Sequence, residues 1–268
     1  MKHRQIINLF CIALPVCVLL RAIQIHFTID GTTGFIKQQY NDIATLITLV
    51  IFATVATMCV LAFFTENIAL KNSESQPAVA ITGILTSGMY LFEMFACFSE
   101  INGISGILLM FLGLLSALSY LAYGINKIYP YNFPAITLII PTIYYVVKLI
   151  KLFISTSSLS LVTENIFLLF SNSALLWFAF AFASFENEIN NSSKRPKTIF
   201  ACGITASLLC VVTALPKLLL VSDQNVQLSI ADISSLLLML SQAVFMLSHI
   251  ICNFCPKEPV KKVTSKHS

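Results

Sequence analysis

Long apolar runs separated by short polar breaks dominate the chain. Runs such as Ile104–Tyr123 show no alternation of apolar and polar residues, and they match the roughly 20 residues a helix needs to cross a bilayer. In hydrocarbon every backbone N–H and C=O must be bonded internally, which leaves only helices or a closed barrel. A barrel strand alternates over about ten residues, and that pattern is missing here. The chain therefore predicts an all-α, polytopic transmembrane helix bundle of eight spans, near residues 6–28, 43–64, 77–98, 104–124, 134–154, 163–185, 199–221 and 231–253. Turn signals separate the spans at Asp30-Gly31, Asn102-Gly103, Pro130, Ser155–Ser158, Asn190–Pro196 and Asp223–Asn225. No connection is long enough for a folded soluble domain. Residues 1–255 read as one membrane domain and residues 256–268 as a short basic cytoplasmic tail.

Composition strengthens this reading. Hydrophobic residues make up 57% of the chain and charged residues 10%, against roughly 25% charged in soluble domains. The net charge of +4 is not a nucleic-acid signature, because the cations sit mostly in loops and in the tail. With the first residues in the cytoplasm, eleven cations face inward: Lys2, Arg4, Lys71, Lys127, Lys194, Arg195, Lys197, Lys257, Lys261, Lys262 and Lys266. The outer loops hold only Lys37. The positive-inside rule thus predicts both termini in the cytoplasm, which an even number of spans satisfies. The basic tail lies against anionic head groups. The first apolar run continues past Arg21 and lacks a small-residue cleavage site, so it reads as an uncleaved span. The eight cysteines all fall within or at the ends of apolar segments and read as packing residues.

Four cations, Arg21, Lys148, Lys151 and Lys217, fall inside spans, and polar residues recur with them at helical spacing. Cys17, Arg21, Gln24 and Thr28 share a face of the first span. Thr86, Tyr90, Glu93, Cys97 and Glu100 share one of the third, and Thr137, Pro141, Tyr144, Lys148, Lys151 and Ser155 one of the fifth. Cys210, Thr213 and Lys217 do so in the seventh. These spans all run outward, so the charges fall in the outer half of the membrane. At about 1.5 Å per residue, Glu93 lies roughly 10 Å below Glu100 and Arg21 roughly 13 Å below Asp30.

An ionised group at mid-membrane costs about 2.5–3.5 kcal/mol on insertion scales. Turning these faces toward a wet cavity open to the outside avoids that cost. Lys151 and Lys217, near span ends, can also snorkel to the head groups. In the cavity arrangement Glu93 pairs with Arg21 or Lys148, and three cations remain for an anionic or carboxylate-bearing ligand. The candidate ligand-binding residues are therefore Arg21, Gln24, Glu93, Tyr144, Lys148, Lys151 and Lys217.

The eighth span adds Asp232, Ser235, Met239, Gln242, Met246 and His249 on one face. Asp232 reads as a helix cap, Gln242 as an interhelical bond near mid-membrane, and His249 as a structural donor. Asn172 in the sixth span reads as interhelical glue. Gly83 with Ser87, Gly113 with Ala117 and Gly203 with Ser207 mark close helix contacts. Pro15, Pro141 and Pro216 lie inside predicted spans, where they kink helices.

Motifs for chemistry are missing. There is no His-Glu-x-x-His, nucleophile elbow, phosphate loop or dinucleotide fingerprint, and Cys252-x-x-Cys255 has no second ligand pair beside it. The expectation is a non-enzyme without metal or cofactor. The segments Leu20-Arg21-Ala22-Ile23-Gln24 and Ile29-Asp30-Gly31-Thr32-Thr33-Gly34-Phe35 resemble uncharacterised multi-pass membrane proteins of clostridia-like Gram-positive bacteria. That resemblance implies a bacterial cytoplasmic membrane and carries no assigned activity.

Two roles fit these residues. The first is a transporter or binding component for a small anionic solute, with the four cations as its attracting field and Glu93 as counter-ion or proton-coupled carboxylate. The alternative is a non-catalytic membrane partner (a sensor, immunity or assembly subunit) whose charged outer half docks another membrane protein.

Overall fold

A computed structural model describes residues 3–28, 37–65, 68–70, 76–98, 103–129, 131, 133–157, 163–187, 195–220 and 228–256. Eight helices carry the fold: α1 (His3–Ile23), α2 (Asn41–Phe63), α3 (Pro77–Cys97), α4 (Gly103–Ile128), α5 (Ile139–Ser157), α6 (Thr163–Glu186), α7 (Arg195–Leu220) and α8 (Ile230–Asn253). All eight regions are long and apolar enough to cross a membrane. The protein is an integral multi-pass membrane protein, an all-α bundle of eight spans.

Local chemistry sets the helix ends. Pro77 opens α3 at a position where a missing N–H is harmless, and Pro196 falls likewise in the first turn of α7. Ser229 and Asp232 form a reciprocal capping box at the start of α8, the role expected of Asp232. Pro15 and Pro216 lie within α1 and α7. Pro141 does not interrupt a helix, because α5 starts at Ile139 after a 3-10 turn over Ala135–Leu138. The proline therefore sits in the first turn, and the expected kink there is corrected. After Ile23, α1 widens into a π-helical segment, Gln24–Thr28.

Four helices, α1, α2, α6 and α8, pack against α7. Most of α7 is buried, 83% of its apolar window against 22% in the first span. Its small side chains make this possible: Ala201, Cys202, Gly203, Ala206, Ser207, Cys210, Thr213 and Ala214 are all buried. Small residues let backbones approach closely where lipid gives no hydrophobic drive between helices. The α3–α4 contact works the same way. A Cβ added to Gly124 would stand 2.9 Å from the Ala80 carbonyl oxygen. Beyond this pair, α3 packs on α8, and α5 bridges α4 and α6.

A short antiparallel ribbon ties β1 (Ile68–Leu70), in the α2–α3 connection, to β2 (Phe254–Pro256), directly after α8. Beside it the Gln76 side-chain amide donates to Asn253 Oδ1 at 2.7 Å. This face also bears the start of α1 and the α4–α5 and α6–α7 connections, and is termed the terminal face. The opposite, distal face bears the ends of α1, α3, α5 and α7. The tail beyond Pro256 lies outside the described residues.

Candidate functional site

All the membrane-embedded charges named from the sequence lie toward the distal face, in two separate clusters. The first lines a cavity of about 260 Å³ between α3, α4, α5 and α8. Glu93 is its deepest ionisable group. Lys148 Nζ donates to Glu93 Oε1 at 2.6 Å and the Tyr144 hydroxyl to Oε2 at 2.5 Å. Lys148 also donates to Ser235 Oγ on α8 at 3.1 Å. Each partner removes part of the cost of burying the other's charge. Exposed Lys151 and Asp232 stand at the mouth, one on α5 and one on α8. The remaining wall is apolar or small: Met94, Cys97, Gly106, Leu109, Met110 and Leu152.

Below Glu93 the cavity ends on phenol rings. The Tyr90 ring meets Tyr144 edge-on at 5.2 Å and stacks on Tyr120 at 5.6 Å. Gln242 ties this layer together at mid-membrane. Its Nε2 donates to the Tyr90 hydroxyl and its Oε1 accepts from Tyr120, both at 3.2 Å. The interhelical role expected of Gln242 is thus present, within a buried layer of tyrosines.

The second cluster joins α1, α6 and α7. Glu164, in the first turn of α6, takes Arg21 on one carboxylate oxygen and Lys217 on the other. The Arg21 side chain is completely buried. Its Cζ lies 3.8 Å from the Phe167 ring centre, a cation–π contact strengthened by desolvation. Its second terminal nitrogen donates to Gln24 Oε1 at 2.6 Å. Gln24 in turn donates to the Ala44 carbonyl at 2.8 Å and Thr48 Oγ1 at 2.7 Å on α2. The π-helical segment starts at Gln24, and π turns frequently mark functional or strained positions. Here it carries the residue that ties α1 to α2.

The single cavity holding all four cations is therefore corrected. Glu93, Tyr144, Lys148 and Lys151 come together; Arg21, Gln24 and Lys217 gather around Glu164 instead. Of the two partners expected for Glu93, Lys148 is the one it takes. Three unpaired cations become one: among the described residues Lys151 alone of the four lacks an ion-pair partner. The physical reason is that a buried charge without a counter-charge is strongly destabilising, so each enclosed cation sits against a carboxylate. Sequence reasoning missed Glu164, which stands at the start of a span where carboxylates ordinarily cap helices.

No family model, no curated protein and no solved structure matches the chain. The part of the resemblance carried by Leu20–Gln24 falls on the second cluster; the part at 29–35 lies outside the described residues.

Asn172 departs from its expected role, and His249 keeps to its own. Asn172 donates to the Leu168 carbonyl of its own helix at 2.8 Å, so it is not the glue expected. Its neighbour Ser171 makes the link, bonding Thr213 Oγ1 on α7 at 2.7 Å. His249 is a structural residue, buried at the terminal end of α8 with Nδ1 against Asn253 Nδ2 at 3.0 Å and the Phe182 ring edge-on at 5.1 Å. No group of three or more metal-ligating side chains occurs among the described residues.

Proposed function

We propose that the protein is a non-catalytic binding or transport component for a small solute bearing an anionic group, taken into the distal cavity. The observation that carries this reading is Lys151, a cation at the mouth of a half-buried cavity with no ion-pair partner among the described residues. Ligand cavities are concave, mostly apolar, and hold a few convergent polar groups. This one has that composition. Lys148 is held by Glu93 and Ser235, which keeps the polar end rigid while Lys151 is free to engage a ligand. The distribution of loop cations supports the distal face as the outer one, and a bacterial cytoplasmic membrane is the localisation proposed with it.

The test is a thermal-unfolding screen of purified protein against small carboxylates, phosphate and sulfate, with Lys151→Gln alongside. A ligand present at 100 times its Kd stabilises the folded state by about 2.7 kcal/mol. The expected result is an anion that raises the melting temperature of the wild type and not of the variant. A library that shifts neither protein, together with a stoichiometric protein partner retained in mild detergent, refutes the solute reading in favour of a docking role.

A further inference from the structure

The charge inventory of the cavity narrows the ligand beyond its anionic group. Glu93 and Lys148 neutralise one another. That leaves one cation and one carboxylate at the mouth, Lys151 and Asp232. Their relative placement follows from a contact one turn deeper. Lys148 on α5 reaches Ser235 on α8 at 3.1 Å. The helices run in opposite directions here, so Lys151 and Asp232 each lie three residues nearer the distal face than that bridge, on facing walls. No ion pair joins them among the described residues. Asp232 Oδ2 is occupied by the Ser229 N–H and hydroxyl at 3.1 and 2.8 Å; the same carboxylate has a second oxygen that these bonds do not use. Behind the two charges stands an apolar wall of Met94, Leu109, Met110 and Leu152. Methionines adapt to ligands of varied shape.

Resting on the reading above, we propose that the solute is a zwitterion with an apolar body, of the α-amino acid class. Its carboxylate meets Lys151, its ammonium meets Asp232, and its side chain lies on the methionine–leucine wall. A simple anion would meet Lys151 and also the uncompensated Asp232 carboxylate. A zwitterion satisfies both.

The experiment uses the purified full chain and four probes: leucine, 4-methylpentanoate (leucine without its ammonium), 3-methylbutylamine (leucine without its carboxylate) and glycine. Binding is read by calorimetry and thermal shift on wild type, Asp232→Asn, Lys151→Gln and Met110→Trp. The asparagine side-chain oxygen can still accept the Ser229 N–H and hydroxyl that Asp232 accepts in the capping box, and Lys151 is exposed, so both charge variants keep the fold, which their melting temperatures without probe check. Leucine is expected to bind about tenfold or more tighter than either charged fragment, as for loss of one charge-assisted hydrogen bond. It should exceed glycine on the order of a hundredfold through its buried carbons. Asp232→Asn should weaken leucine about tenfold and tighten 4-methylpentanoate, which no longer meets a like charge. Lys151→Gln should weaken both, and Met110→Trp, which fills the wall, should abolish both. If 4-methylpentanoate binds as tightly as leucine and only Lys151→Gln weakens it, the zwitterion is wrong and the anionic reading stands. If no probe binds in a Lys151-dependent way, the amino-acid inference fails outright, and the anion screen alone decides the broader reading.

Discussion

Replacing Glu164 by Gln tests whether the Arg21–Glu164–Lys217 cluster holds three helices together. The substitution keeps size, removes the charge and turns one of the two accepting oxygens into an NH2 donor, so only one of Arg21 and Lys217 keeps an acceptor there. Arg21 then keeps Gln24 and the Phe167 ring but loses its counter-ion at a site with no solvent exposure. Lys217, with 12% of its side chain exposed, is left with the same loss in a less enclosed position. Removing one partner of a buried ion pair costs about 3–5 kcal/mol, most of it the penalty of the charge left behind. Arg21→Met in the Glu164→Gln background removes the stranded guanidinium and should recover at least half of that loss. The assay is reversible unfolding of the reconstituted protein, with the four proteins of the double-mutant cycle compared. A coupling energy above about 1.5 kcal/mol is expected for residues in one network. Additive effects, or a Glu164→Gln cost below about 0.5 kcal/mol, would refute the claim that the cluster is a dry, mutually dependent unit.

Gly124→Ala drives a Cβ to 2.9 Å from the Ala80 carbonyl. A backbone atom cannot step aside as a side chain can, so overpacking of about 1–3 kcal/mol is expected from the melting temperature, and a neutral result would mean α3 and α4 are farther apart. Gln242→Leu removes the links to Tyr90 and Tyr120 and should cost about 0.6–2 kcal/mol, read in the same assay; a more stable variant would argue against the bonds. Alkaline phosphatase fused after residue 160 should be active and the same fusion after residue 192 inactive, since loop cations set orientation; the reverse pattern overturns the assigned sidedness.

The spans were legible because hydrocarbon leaves the backbone no alternative to helix, so run length alone located them. Predicted edges moved where short-range chemistry intervened. The seventh helix starts at Arg195 rather than 199, because Pro196 is well suited to a first turn. The fourth extends to Ile128, past the expected edge at 124, where Gly124 serves a helix contact. The buried stripes were legible too: Cys17, Arg21, Gln24 and Thr28 are all buried, as are Thr86, Tyr90 and Glu93. What helical spacing could not give is which stripe faces which. Arg21 and Glu164 are 143 residues apart, and nothing local to either encodes the other. Glu93 had two candidate cations at comparable depth, and only the packing of both α3 and α5 on α4 chooses Lys148. Spacing also gave no warning that Asn172 would turn back to its own helix while Ser171 reached across.

The 143 residues between Arg21 and its carboxylate also set a waiting time. A ribosome adding about 5–20 residues per second delivers α6 about 7–30 s after α1. The most enclosed helix, α7, arrives later still. During that interval the guanidinium sits in a half-built bundle whose central place is empty and whose counter-charge has not been made. Its position near the distal end of α1 gives it head groups to lean on meanwhile. The first span is thus threaded into the bilayer as a temporarily unstable insertion, one that the later half of the chain rescues. A nascent chain halted before residue 164 should therefore be a preferred substrate for membrane quality-control proteases.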